Sequence, residues 1–165
     1  MVSGTQFTLN DFNSITLGDF SKMGTGGVTL NDLTAKYGKP DNTSSVKQND
    51  QNTTIATWNR MANQANATVS VGFVQNKAFS KSLNDYQVER KDPITIAQFN
   101  QLQTGADADA ALNTLGLPNQ VNMITISGST QATYTYDKAM KPTNAKIVLT
   151  FMNNKLQGKT QHGLD

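Results

Sequence analysis

His162 is the only histidine in this 165-residue chain, and there is no cysteine. Imidazole and thiolate are the side chains that hold zinc and activate nucleophiles, so a zinc site or a nucleophile–His relay lacks its parts. A solitary His in a polar C-terminal tail reads as an exposed side chain. Eleven Asp and one Glu, Glu89, supply the carboxylates. Acid–base work needs two of them brought together with their titrations pushed apart, and these are scattered over turns and helix starts. Asp107-Ala108-Asp109 lacks the remaining ligands of a calcium loop and reads as helix capping. Gly24-Thr25-Gly26-Gly27 precedes a helix but lacks the Lys-Ser/Thr of a phosphate loop, and reads as a helix–helix turn. No metal, no cofactor and no enzyme are expected. The remaining enzymatic alternative is an unrecognised site using Asp with Tyr or Lys in a sheet cleft.

The aromatic side chains are more informative. Trp58 is the only Trp; on a strand it shares a face with Ala56, and Tyr134 shares one with Tyr136. Two readings stand. These rings fill a sheet–helix core, or they form an exposed cluster that anchors a protein partner. Which face of that strand meets the helices depends on a hairpin register that the sequence leaves open.

Composition limits the partners. Asn, Gln, Thr and Ser make up 62 of the 165 residues while charged residues are only 16%, so the surface is polar without being ionic. A net charge of +2 with two Arg and no basic run argues against nucleic acid. No stretch approaches the roughly 20 apolar residues of a membrane span. Met1 to Gln6 has no basic segment followed by an apolar one, so no signal peptide is read there. Absence of Cys fits a secreted protein that avoids oxidation.

The elements that position these residues come twice. Ala67 to Lys77 (Ala-Thr-Val-Ser-Val-Gly-Phe-Val-Gln-Asn-Lys) returns as Ala145 to Lys155 (Ala-Lys-Ile-Val-Leu-Thr-Phe-Met-Asn-Asn-Lys) at an offset of 78. Gly38-x-Pro40 returns as Gly116-x-Pro118, and Thr57-Trp58 as Thr135-Tyr136, at the same offset. Upstream, Ile15-Thr16, Phe20 and Thr25-Gly26 pair with Ile94-Thr95, Phe99 and Thr104-Gly105 at an offset of 79. A period near 78 exceeds the roughly 20–50 residues of solenoid units.

Within each copy the spacing predicts two helices and four strands. The first copy has a helix over 16–23, capped by Thr16 with Asp19 three residues on, and a second capped by Thr29 with Asp32. Leu30, Leu33 and Tyr37 form the second helix's stripe, closed by Gly38 and Pro40. Strands follow over 44–47, 53–59, 68–74 and 79–83. The second copy has a helix after Thr95, another capped by Asp107, and strands over 123–126, 132–137, 146–152 and 156–161. The division is a lead-in over 1–14, a first repeat over 15–88, a charged linker over 89–93 and a second repeat over 94–165. Alternation points Val69, Val71 and Phe73, and Ile147, Leu149 and Phe151, toward the helices. Thr68, Ser70 and Gly72, and Lys146, Val148 and Thr150, then face solvent or a partner. The fold class is α+β, two tandem repeats of two short helices on a four-stranded antiparallel sheet.

This order of elements, with Gly38-x-Pro40, Gly116-x-Pro118, Trp58/Tyr136 and the Ala67 and Ala145 strands, resembles the beta-lactamase-inhibitor-protein-like fold. It is also similar to the small SmpA/OmlA lipoprotein module and to a tandem family of Gram-positive surface lipoproteins of unknown function. The resemblance spans residues 15 to 164. It implies sheets laid side by side into one concave surface, and a location at the cell surface or in the medium. It further implies a protein partner in the cell envelope or medium and a lipid anchor upstream of residue 1. In the inhibitor that surface grips an enzyme, and an acidic hairpin enters the enzyme's active site; here Asp50 lies near the tip of the hairpin 47–52. The inhibitor's disulfides have no counterpart. The leading expectation is a non-enzymatic extracellular interaction module, with inhibition of a secreted hydrolase such as a beta-lactamase as the alternative. Its candidate contact residues are Trp58, Tyr134, Tyr136, Asp50, Lys146, Val148 and Thr150.

Overall fold

The computed structural model describes residues 5–165; of the leader reading at Met1 to Gln6, the first four residues lie outside it. Eight strands run in chain order across one antiparallel sheet: β1 (Asn42–Gln48), β2 (Gln51–Trp58), β3 (Thr68–Val74), β4 (Lys77–Asn84), β5 (Gln120–Ile126), β6 (Ser129–Tyr136), β7 (Lys146–Met152) and β8 (Lys155–His162). Among the described residues four α-helices, α1 (Leu9–Ser14), α2 (Leu30–Tyr37), α3 (Ile96–Gln101) and α4 (Ala108–Leu115), supply the second layer. The protein is α+β, with two repeated halves of four strands. The two four-stranded halves are fused into one sheet: Ser80, Lys81, Ser82 and Leu83 of β4 pair with Ile124, Met123, Asn122 and Val121 of β5.

Turn chemistry sets the register. The four hairpins within the halves each close on two residues with positive φ: Asn49-Asp50, Gln75-Asn76, Ser127-Gly128 and Asn153-Asn154. That conformation matches the right-handed twist of the flanking strands, and Asn, Asp and Gly tolerate it best. A two-residue turn allows no slip, so every side chain is committed to one face.

The core lies on the helix side. Val69, Val71 and Phe73 with Trp58 and Ala56 pack beneath α1 and α2; Ile147, Leu149 and Phe151 with Tyr136 pack beneath α3 and α4. Phe7 is buried as well, stacked on Tyr37 with ring centroids 3.7 Å apart and edge-on to Trp58 at 5.5 Å.

The first helix is not where the sequence places it. It occupies Leu9–Ser14, inside the stretch read as a lead-in, and not 16–23. Thr8 caps it in a full reciprocal box with Asp11, as Thr95 does with Gln98 at α3. Gly18 explains why Thr16 starts no helix. A Cβ there would lie 2.0 Å from the Gly24 carbonyl oxygen, so the chain is folded back on itself at that point. The true correspondence follows from backbone bonds. Gly18 N–H donates to the Ala78 carbonyl at 2.8 Å, and Gly105 N–H to the Leu156 carbonyl at 2.7 Å. Ala78 N–H then returns to the Val28 carbonyl, and Leu156 N–H to the Ala106 carbonyl, each at 2.8 Å. The first repeat therefore carries nine extra residues, 19–27, and Phe12 rather than Phe20 is the partner of Phe99. Residues 20–22 of this insertion form a single 3-10 turn.

Candidate interaction surface

Opposite the helices, the sheet is uncovered except at the end where the insertion folds over it. Its rows follow from the register: Thr57 beside Ser70, Asn122 between Ser82 and Thr133, Val148 between Thr135 and Thr160. Thr, Ser, Asn and Gln pave this face, and some pair with one another, as in the 2.8 Å contact between the Thr57 and Ser70 hydroxyls. Hydroxyl and amide groups on exposed strands satisfy one another or water without charge.

One region departs from this pavement. Val46 and Ile55 are 44% and 38% exposed, against the burial preference of their type. With Phe79, Ile124, Gln48, Thr53, Ser80 and Asn122 they line a hollow of about 300 Å³ that spans both halves of the sheet. In the strand row that crosses it, Gly72 pairs with Ile55 and Ser80, and a Cβ there would lie 2.3 Å from the Ser80 hydroxyl. The Ser80 side chain occupies the space that a Gly72 side chain would take.

The aromatic candidates are corrected by this geometry. Trp58 and Tyr136 are both 0% exposed and point to the helices, so they are core and not contact residues. Trp58 Nε1–H donates to the Gly38 carbonyl and Tyr136 O–H to the Gly116 carbonyl, each at 2.9 Å. Each ring thus holds the helix end that the Gly-x-Pro motif terminates. Burial pushes the Tyr136 phenol well above its usual range. Tyr134 is half-buried on the same helix side, 4.8 Å from the Phe151 ring. It lines a small apolar crevice of about 60 Å³ between the two helix pairs, with Leu9, Leu83, Leu112 and Leu117 among its walls.

The other candidates are solvent-facing but dispersed. Asp50 is exposed at the β1–β2 turn, two residues past Gln48 of the hollow. Lys146 and Thr150 are exposed and Val148 is half-buried, all on the open face of β7. Six strand spacings of about 4.8 Å separate β1 from β7, roughly 30 Å, so Asp50 and these three do not form one site. The hollow's own residues, Val46, Ile55, Phe79 and Ile124, were not singled out from the sequence. The available signal was parity: Ile55 alternates with Ala56 and Trp58, so once the Trp is core the Ile is outside.

Asp107 and Asp19 take structural roles. Asp107 occupies the N-cap position of α4, but its carboxylate makes no cap bond and pairs with Lys155 instead. Asp19 caps the 3-10 turn through Ser21 N–H and does not belong to a Thr16 capping box. Among the described residues no three of His, Asp and Glu gather to hold a metal, and no helix is long and apolar enough to cross a membrane.

Two fused helix–meander repeats with one bare sheet face define the class: an α+β protein of the beta-lactamase-inhibitor-protein-like fold. A solved structure from Streptococcus mutans, at 1.40 Å and described as a "putative beta-lactamase inhibitor protein", matches with a TM-score of 0.77 at 20% identity, over 94% of this chain and 95% of that one. The family described as "Domain of Unknown Function with solved-structure structure (DUF3862)" matches residues 5–164, and the chain belongs to it. No curated protein matches.

Proposed function

We propose that this protein is a non-enzymatic extracellular module that binds a protein partner of the cell envelope or medium through the bare face of its sheet. The observation that carries this is the hollow across both halves: an apolar Val46–Ile55–Phe79–Ile124 lining inside an uncharged hydroxyl and amide rim. An apolar centre ringed by polar groups is how protein-binding patches are built. A surface lipoprotein anchored upstream of residue 1 is the setting proposed for it; a chain without Cys to oxidise suits that setting.

The test compares Ile55→Lys with Val148→Lys in capture from the envelope fraction and medium of the producing cells. The expected result is a partner retained by wild type and Val148→Lys and lost by Ile55→Lys. Equal retention by all three would remove the hollow from consideration.

Inhibition of a secreted hydrolase is the second reading, favoured by the name of the S. mutans structure and by exposed Asp50 on its tight turn. Against it, among the described residues the open face presents no exposed Trp or Tyr, the types that dominate tight interfaces. A beta-lactamase assayed at micromolar protein with full residual activity ends this reading for that enzyme.

A further inference from the structure

The nine-residue insertion 19–27 exists in only one repeat, yet it contacts both. Asp19 is the first residue of the insertion. Its carboxylate accepts N–H groups from Ser127 at 2.9 Å and Gly128 at 2.6 Å, both in the β5–β6 turn, and from Ser21 at 2.8 Å. The Ser21 and Ser127 hydroxyls lie 3.0 Å apart. Beside them Phe20 is buried against Val74 and Phe79 of the first half, with Ile124 and Ile126 of the second packed on the same cluster. The loop is built to hold its shape: Gly24 N–H donates to the Asp19 carbonyl, and Asp19 and Thr25 form an antiparallel bridge.

The seam it crosses is short. β4 and β5 share four paired positions, where β1 and β2 share seven. Phe79 and Ile124 lie on opposite sides of that seam, and both line the hollow. We propose that residues 19–27 are an inter-repeat strap, with Asp19 the latch that positions the Phe79–Ile124 wall of the hollow. The strap stands on its own geometry; its consequence for binding rests on the function proposed above.

Charge around the latch is sparse. Lys22 on the strap faces Asp19, the β5–β6 turn offers only N–H groups and the Ser127 hydroxyl, and Lys77 opens β4 beside Gly24. Burial alone would raise the carboxyl. Donation from Gly128, Ser21 and Ser127, with the Lys22 charge, outweighs that and holds it below its usual 3.8. The test is amide NMR and hydrogen exchange on the full chain and its Asp19→Ala variant. In the variant, protection of the Ser127 and Gly128 amides is expected to fall about tenfold or more, since a bond to a charged acceptor is lost. Val71 and Leu149 amides keep theirs. Unchanged Ser127 and Gly128 amides overturn the proposal. If Asp19→Ala does not fold, the wild-type Gly128 amide proton decides. It is expected to titrate with a carboxylate midpoint below 3.8, and a flat profile overturns the latch. Neither readout involves a partner, so failure of Ile55→Lys to affect capture sinks the functional reading and leaves the strap standing.

Discussion

Lys81 Nζ donates to the carbonyl oxygen of Phe12 at 2.8 Å, and lies 4.8 Å from the centroid of the same residue's ring. It also donates to the carbonyls of Asn13 and Ile15, at 3.3 and 3.1 Å. A buried ammonium, 5% exposed, therefore caps the C-terminus of α1 with no carboxylate bonded to it. The end of a helix leaves carbonyls without partners and concentrates negative partial charge, so a cation there serves both needs. Seventy-eight residues on, Lys159 Nζ donates to the Phe99 carbonyl at 2.8 Å and sits 4.5 Å from that ring's centroid. The same device anchors the first helix of both repeats.

The two lysines differ in burial, so their removal is expected to differ. Lys81→Met strips a donor from three carbonyls, and is expected to cost toward the upper end of the about 1–3 kcal/mol range for leaving buried acceptors unmet. Lys159→Met removes one bond at a partly exposed site and is expected to cost about 1 kcal/mol or less. Urea unfolding of the two variants measures both. Equal costs would mean that Lys81 anchors α1 no more strongly than Lys159 anchors α3.

Alkaline titration gives Lys81 a second signature. Burial lowers its pKa from 10.5 to about 8. Between those values the unfolded chain holds the proton more firmly than the folded one, so unfolding takes up protons and stability rises with pH. Below about 8 both states are protonated and the slope vanishes. Tyr136 works the other way, because burial raises its pKa above 10.0 and unfolding there releases a proton. The contribution is isolated by subtracting the Lys81→Met profile. The expected difference between wild type and variant grows from pH 8 toward pH 10 in favour of wild type, and a flat difference refutes it.

Trp58 and Tyr136 are core, and that has its own measurement. Trp58→Phe and Tyr136→Phe keep a ring in place and delete the bond to Gly38 or Gly116. Each is expected to cost about 1–3 kcal/mol, and the two to add, since they lie in different clusters. Partner capture by the folded variants is expected to match wild type. A loss of capture without a loss of stability would return these rings to the binding surface.

The strands and their faces were legible because a period of two is a strong signal when Val69, Val71 and Phe73 alternate with Thr68, Ser70 and Gly72. The second helices were legible from Thr29, Gly38 and Pro40. The first helix was misplaced because Thr16-x-x-Asp19 and Thr8-x-x-Asp11 offer the same local cap. What decides between them is long-range: Lys81 meets the end of the helix that starts at Thr8, and Gly18 is pinned against Gly24. The aromatic cluster failed for a similar reason. Trp and Tyr suit a core or an interface equally well, and only the Gly38 and Gly116 carbonyls, 20 residues away in sequence, say which. The hollow and the strap exist only once β4 meets β5, a pairing that no periodicity announces.

Gly72 and Gly158 yield a prediction that uses the duplication itself. Gly72 pairs with Ser80 in the first half, and Thr150 pairs with Gly158 in the second, at matching positions beside a bulge. Each pair holds one glycine, on opposite strands. A Cβ at Gly72 would lie 2.3 Å from the Ser80 hydroxyl, and one at Gly158 would lie 3.2 Å from the Thr150 hydroxyl. The spot has room for a single side chain. Gly72→Thr is therefore expected to cost about 1–3 kcal/mol through overpacking. Adding Ser80→Gly rebuilds the Thr–Gly pair of the second half, and is expected to recover most of that loss. A double-mutant cycle by urea unfolding reads the coupling directly. Additive costs would show that crowding between these two residues is not what requires glycine.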